Sequence, residues 1–205
     1  MHVAEVEPDA GRSSHWEALL GIWQGLELTE GWQAEIIEGG LFLVTPPQDA
    51  HNRIVADVQK QLYREILRDG SGIADCDVHQ AIDLRVPSLL SLYIPDLAVL
   101  PGPLDERGED HSAADALIVV EVVSPSTADR DRKAKLWGYA HGPVPLYLLI
   151  DRWDPLLGEP AATLYSEPLN GAYADVHKVR FGEPVALPEP FGFDLDTSRF
   201  PVPEG

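Results

Sequence analysis

Two carboxylates and a lysine stand where they could do chemistry together. Asp96 heads the short apolar run Ile94-Pro95-Asp96-Leu97-Ala98-Val99-Leu100. Glu121 interrupts the otherwise unbroken run Leu117-Ile118-Val119-Val120-Glu121-Val122-Val123. Lys135 follows on the next segment, with Asp131 four residues before it and Tyr139 four after. A carboxylate inside a β-branched run is costly to bury unless something pairs with it. A divalent cation held by Asp96 and Glu121, with Lys135 beside it, would relieve that cost and create a phosphodiester-cleaving centre. Two hard carboxylates favour Mg2+ or Mn2+. Each residue also has a plainer reading. Asp96 would be a water-exposed acid at a strand edge and Glu121 one half of an ion pair with an arginine. Asp131 and Lys135 would form a surface bridge along a helix, and Tyr139 would pack in the core.

The elements that must position these groups follow from periodicity. Trp16, Leu19, Leu20 and Trp23 share a helical face, capped by Ser13 or Ser14, after a flexible tail of residues 1–13. Trp32 to Glu38 and Leu41 to Val44, joined by Gly39-Gly40, predict a β-hairpin. Asp49 to Arg68 predicts the longest helix, with an apolar stripe of Ile54, Val58, Leu62 and Leu67 flanked by Val55 and Ile66. Strand-like runs at 73–79 and 81–86 come next, then a turn at 88–91 leading into the Asp96 strand. Residues 101–115 form an acidic loop with Asp105, Glu106, Glu109 and Asp110. Alternation along the Glu121 strand places Glu121 on one face with Val119 and Val123. Ser126 with Asp129 forms a capping box for a helix running to about Ala140, stopped by Gly142-Pro143. Leu146 to Asp151 is an interior strand, Ala161 to Ser166 and Ala172 to Val179 an antiparallel pair, and the proline-rich stretch 184–203 a surface wrap. The order describes one α/β domain, residues 14–205, with a central mixed sheet flanked by helices.

Several of these stretches together resemble the Uma2 family of the PD-(D/E)XK nuclease superfamily. They are Pro95-Asp96, Glu121-Val122-Val123-Ser124-Pro125-Ser126-Thr127, the Asp131/Lys135/Tyr139 set, and Tyr147-Leu148-Leu149-Ile150-Asp151. Glu35-Ile36-Ile37-Glu38-Gly39 and Pro46-Pro47 followed by His51 resemble the family's amino-terminal half, and the likeness spans residues 14 to 200. It implies a restriction-endonuclease-like core and a metal-dependent endonuclease acting on DNA. It further implies that the backbone carbonyl of Val122 joins Asp96 and Glu121 as a metal ligand, that Glu35 is a third acid at the metal, and that His51 hydrogen-bonds substrate or a metal-bound water. Position 123, where an acid-x-lysine motif would put its lysine, is Val123; the resemblance implies that the lysine has moved to Lys135.

Charge argues the other way. The 205 residues hold 34 acids against 15 lysines and arginines, a formal net charge of −19, whereas nucleic-acid binders usually carry a basic face. A second reading is therefore a catalytically silent interaction module of the same fold. At 44% hydrophobic and 24% charged, the composition excludes a disordered chain. The single cysteine, Cys76, cannot form an internal disulfide and suits a reducing compartment. No apolar stretch reads as a signal peptide or approaches the ~18 residues of a membrane span. The expected location is cytoplasmic, the expected partner DNA and not a membrane, with a homodimer left open.

Overall fold

Period-two alternation puts both faces of the Glu121 strand in apolar surroundings, and the chain builds two layers to bury them. The computed structural model describes residues 10–102 and 111–203. In chain order the elements are helix α1 (Ala10–Gln24), strands β1 (Gln33–Ile37) and β2 (Gly40–Val44), helix α2 (Asp49–Ile66), and strands β3 (Cys76–His79), β4 (Leu84–Val86), β5 (Ser91–Tyr93), β6 (Leu97–Pro101), β7 (His111–Ser112) and β8 (Ile118–Val122). A π-helical turn, Arg130–Lys135, then runs into helix α3 (Leu136–His141). Strands β9 (Leu146–Asp151), β10 (Ala161–Leu169), β11 (Ala172–Arg180), β12 (Val185–Leu187) and β13 (Phe193–Leu195) complete the chain.

The main sheet has the order β11-β10-β9-β8-β6-β3; β8 and β9 are parallel and the other neighbours antiparallel. A second sheet has the order β2-β1-β5-β4-β7. Ile118, Val120 and Val122 face α2, where Ile54, Val55, Val58 and Leu62 form the buried stripe. Val119 and Val123 face the other way, toward Tyr139 of α3 and residues of the second sheet such as Ile37, Leu84 and Tyr93. Trp16, Leu19 and Leu20 of α1 cover the outer face of that second sheet at Ile36 and Leu92. Close approach of α3 to the second sheet depends on Gly138, where a Cβ would run into the Tyr93 hydroxyl. No helix among the described residues is long and apolar enough to cross a membrane.

The mixed α/β architecture and most predicted elements stand, with specific corrections. Helix α1 begins at Ala10, inside the stretch read as a flexible tail; residues 1–9 lie outside the described residues, as do Asp105, Glu106, Glu109 and Asp110. Leu67 falls just past α2 and is 81% exposed, so it does not extend the stripe. The runs at 73–79 and 81–86 contribute β3 and β4 to different sheets, and Ser91–Tyr93 is a strand where only a turn was expected. The capping box occurs at Ser112 and Asp115, not at Ser126 and Asp129. After β8 the chain is turned by Thr127, whose hydroxyl accepts the Ser124 N–H at 3.2 Å. The proline-rich 184–203 stretch is no surface wrap: Val185, Leu187, Phe191, Leu195 and Phe200 are buried in the same core as α2.

Candidate active site

The register of β6 against β8 pairs Leu97 with Val120, so Asp96, one step earlier, comes level with Glu121. The two strands thus deliver the two acids to one place. Asp96 Oδ2 accepts the Val122 N–H at 2.7 Å and lies 3.0 Å from His51 Nε2. These bonds explain why an acid at the head of a strand is fixed rather than loose in water. His51 sits in the first turn of α2, three and four residues before Ile54 and Val55, so the apolar stripe turns its ring inward. Burial disfavours a charged imidazole, but the hydrogen bond and charge of Asp96 outweigh this and raise the His51 pKa.

Glu121 is buried, and its partner is a lysine rather than an arginine. Lys135 Nζ lies 2.8 Å from Glu121 Oε1 and 2.9 Å from Glu35 Oε1, with Asp131 Oδ1 at 3.7 Å. The Tyr139 hydroxyl donates to the same Glu121 oxygen at 2.8 Å. Glu35, Glu121, Asp131 and Lys135 are each under 5% exposed, so the surface-bridge reading of Asp131 and Lys135 fails. Glu35 points inward because its neighbour Ile36 faces α1, and alternation sends Glu35 to the opposite face; its Oε1 also accepts the Ile94 N–H at 2.8 Å. Tyr139 packs in the core, as its plainer reading has it, and also supports the charged cluster.

The π-helical turn sets Asp131 and Lys135 on this inner face. Within it the Tyr147 hydroxyl donates to the Asp131 carbonyl at 2.9 Å, a side-chain insertion of the kind that interrupts an α-helical ladder. Burial pushes the Asp131 carboxyl up to about 6, with Lys135 pulling against it. Burial also pushes Glu121 well above the carboxylate range, opposed by Lys135 and reinforced by Asp131, Asp96 and Glu35. For Lys135, burial alone would lower the pKa; Glu121, Glu35 and Asp131 more than reverse that.

Glu35, His51, Asp96, Glu121, Asp131 and Lys135 line one cleft of about 500 Å3, together with Val122, Asn52, Gln80, Arg152 and Trp153. Every residue expected at the site, Glu35, His51, Asp96, Glu121, Val122 and Lys135, lines it. Asp131 joins them as a fourth carboxylate; its i,i+4 spacing to Lys135 was the available signal. Arg152 and Trp153, which follow β9, carried no sequence signal.

Among the described residues no three acidic, histidine or cysteine side chains are already gathered as a metal cage. The donor set nevertheless fits a Mg2+-type ion, which typically uses one or two carboxylates and keeps several waters. The bonds above engage Oδ2 of Asp96 and Oε1 of Glu121, leaving Oδ1 and Oε2 outside them. Buried Glu35 Oε2 and Asp131 Oδ1 have no hydrogen-bond partner, and the carboxylates of Glu35, Glu121 and Asp131 share one ammonium.

A mixed sheet whose adjacent strands carry two acids beside a buried lysine places the chain among the restriction-endonuclease-like α/β proteins. It belongs to the Uma2 family, described as "Putative restriction endonuclease", whose model matches residues 22–198. The fold is similar to a crystal structure described as "a putative nuclease belonging to DUF820" from Anabaena variabilis ATCC 29413. The TM-score is 0.66 at 17% identity, covering 88% of this chain and 96% of that one. No curated protein matches the sequence.

Proposed function

We propose that this chain is a metal-dependent endonuclease that hydrolyses DNA phosphodiester bonds. The observation that carries the reading is the Lys135 ammonium, 2.8 Å from Glu121, in the same cleft as Asp96 on the adjacent strand. Asp96, Glu121 and the Val122 carbonyl would hold Mg2+ or Mn2+. When bound, the ion supplies a water of lowered pKa and neutralises charge on the phosphoryl oxygens. His51 and the Val122 N–H hold Asp96 in place. Tyr139 and Lys135 fix one oxygen of Glu121, and Lys135 opposes the upward push of burial on that carboxyl's pKa. Glu35 and Asp131 in turn hold the Lys135 ammonium, which is available to orient the attacking water or to stabilise the transition state.

The test is nicking of supercoiled plasmid and of single-stranded circular DNA with Mg2+, Mn2+ or chelator. Wild type is expected to nick only with metal, and Asp96→Ala to lose both nicking and calorimetric metal binding. Lys135→Arg, which keeps a cation among the carboxylates, is expected to bind metal and lose at least about ten-fold in rate. The silent interaction module is favoured by one specific feature: Lys135 already has Glu35 and Glu121 as partners, so the cluster holds together without an ion. Absence of metal-dependent nicking by clean wild type, on single and double strands, would decide for that module.

A further inference from the structure

A large aromatic side chain is presented at the cleft by a hydrogen-bonded backbone. Trp153 is 38% exposed and lines the cleft, yet its backbone is held at both ends. Its N–H donates to Asp151 Oδ1 at 2.8 Å, and its carbonyl accepts from Arg132 Nη2 at 2.9 Å. Arg132 also grips Asp151 through two bonds, at 2.7 and 3.0 Å. Arg132 belongs to the π-helical turn that carries Asp131 and Lys135, so the indole is tied to the element that bears the site's lysine. The Arg152 guanidinium lies 4.8 Å from the centre of the indole ring, and Arg152 Nε donates to the Pro201 carbonyl at 3.0 Å.

The charges around this ring decide what it can receive. Duplex DNA is held mainly through its phosphates, by arginine and lysine. Among the described residues that line the cleft, Lys135 and Arg152 are the only ones of those types, against Glu35, Asp96, Glu121 and Asp131. Lys135 is bound to carboxylates and Arg152 lies on the indole. The remaining polar lining includes the neutral amides of Gln48, Asn52 and Gln80. Such a wall is poor at tracking a phosphate backbone, but it suits a flat, neutral group with hydrogen-bonding edges. A nucleobase is such a group, and the cleft volume is of the size that encloses a small ligand.

On the nuclease reading of the site, we propose that Trp153 is the stacking platform for an unpaired nucleobase, and that the substrate is single-stranded DNA rather than intact duplex. A base offers its face to an aromatic ring only when it is out of its own stack, and single strands meet that condition at least cost. The amides read the edge of the stacked base, and with few phosphate contacts little affinity is lost as salt rises.

The experiment is fluorescence anisotropy with a labelled oligothymidine strand and a hairpin duplex of equal length, in EDTA, across a salt series. The single strand is expected to bind at least about ten-fold more tightly than the duplex, with a shallow salt dependence. Trp153→Ala should weaken single-strand binding by about ten-fold or more, while Trp153→Phe retains most of it; unchanged melting curves would show that both variants are folded. Equal or tighter duplex binding, binding of neither strand, or a Trp153→Ala variant that binds like wild type would overturn the inference. Because the chelator removes chemistry, the two readings fail separately. Trp153-dependent single-strand binding without metal-dependent nicking overturns only the nuclease. Metal-dependent nicking of duplex that Trp153→Ala leaves unchanged overturns only the stacking platform.

Discussion

Replacing Lys135 by alanine would strand Glu35, Glu121 and Asp131 in the protein interior without their shared cation. Uncompensated buried charge of this kind costs about 3–5 kcal/mol, a fall of about 10 °C in melting temperature for a domain of this size. Calorimetric melts of wild type and Lys135→Ala at pH 7.5 would test this, and a variant that melts with wild type would show the cluster already protonated. Asp131 offers a pH test with a definite sign. Its folded pKa, about 6, lies above the ordinary value of 3.8, so the folded state binds the proton more tightly. Stability tied to this group is therefore present below about 3.8 and is lost as pH rises through 6. Asp131→Asn should accordingly melt above wild type at pH 7.5 and with it at pH 4. A gap that persists at pH 4 would mean that ionisation of Asp131 is not its source. Much of this cluster was legible in sequence, because a charge inside an apolar run has few explanations. Asp96 and Glu121 announce themselves that way, whereas Lys135, in the charged stretch 130–135, and His51 needed the resemblance. Glu35 needed the resemblance, since alternation alone does not say which face of β1 meets the site. For Asp131 two readings stayed open, because an i,i+4 acid and lysine look the same on a surface as in a buried cluster.

At the scale of elements, long periodic segments were readable and short ones were not. Helix α2 shows its stripe over 18 residues. Strands β10 and β11 are set in register by Asn170 and Gly171, whose positive φ angles of 53° and 77° match the tight turn of a twisted hairpin. Strands β5, β12 and β13 have three residues each, too few for alternation to register. The π-helical turn hid for another reason: Asp131, Lys135 and Tyr139 share a face in an α-helix too, so spacing could not separate the two. Reading 184–203 as a surface wrap was the largest error, since proline content concealed five core residues. The segment is further tied to α2 by Gln61, whose side-chain amide exchanges two 2.8 Å bonds with the backbone of Asp196. Phe191, 1% exposed, provides the test. Phe191→Ala should cost about 3–5 kcal/mol by loss of burial plus cavity formation, read from urea midpoints at unchanged slope. A loss below about 1 kcal/mol, the size of a surface substitution, would restore the wrap.

Over the whole molecule, the −19 formal charge acts on stability and on the site in ways that can be separated. Self-repulsion among 34 acids and 15 bases destabilises the compact state, and any salt that screens it should raise the melting temperature. A divalent ion held at Asp96 and Glu121 does something more, because it binds the folded state specifically. At about one hundred times its dissociation constant it would add about 2.7 kcal/mol, or about 5–10 °C at this chain length. The comparison is between MgCl2 and NaCl at matched ionic strength, so that general screening is nearly common to both. Wild type should melt higher in MgCl2 than in NaCl. Asp96→Asn, which removes a ligand charge while keeping the side chain's size, should show most of the NaCl response and little of the Mg2+ excess. The quantity compared is the excess within each protein, so any change in the variant's own baseline stability drops out. Diffuse attraction of Mg2+ to an acidic surface would instead give the variant the same excess as wild type. Coincident MgCl2 and NaCl curves for wild type would remove the metal from the site altogether. The cluster of Glu35, Glu121, Asp131 and Lys135 would then be a structural ion network in a chain whose charge repels phosphate.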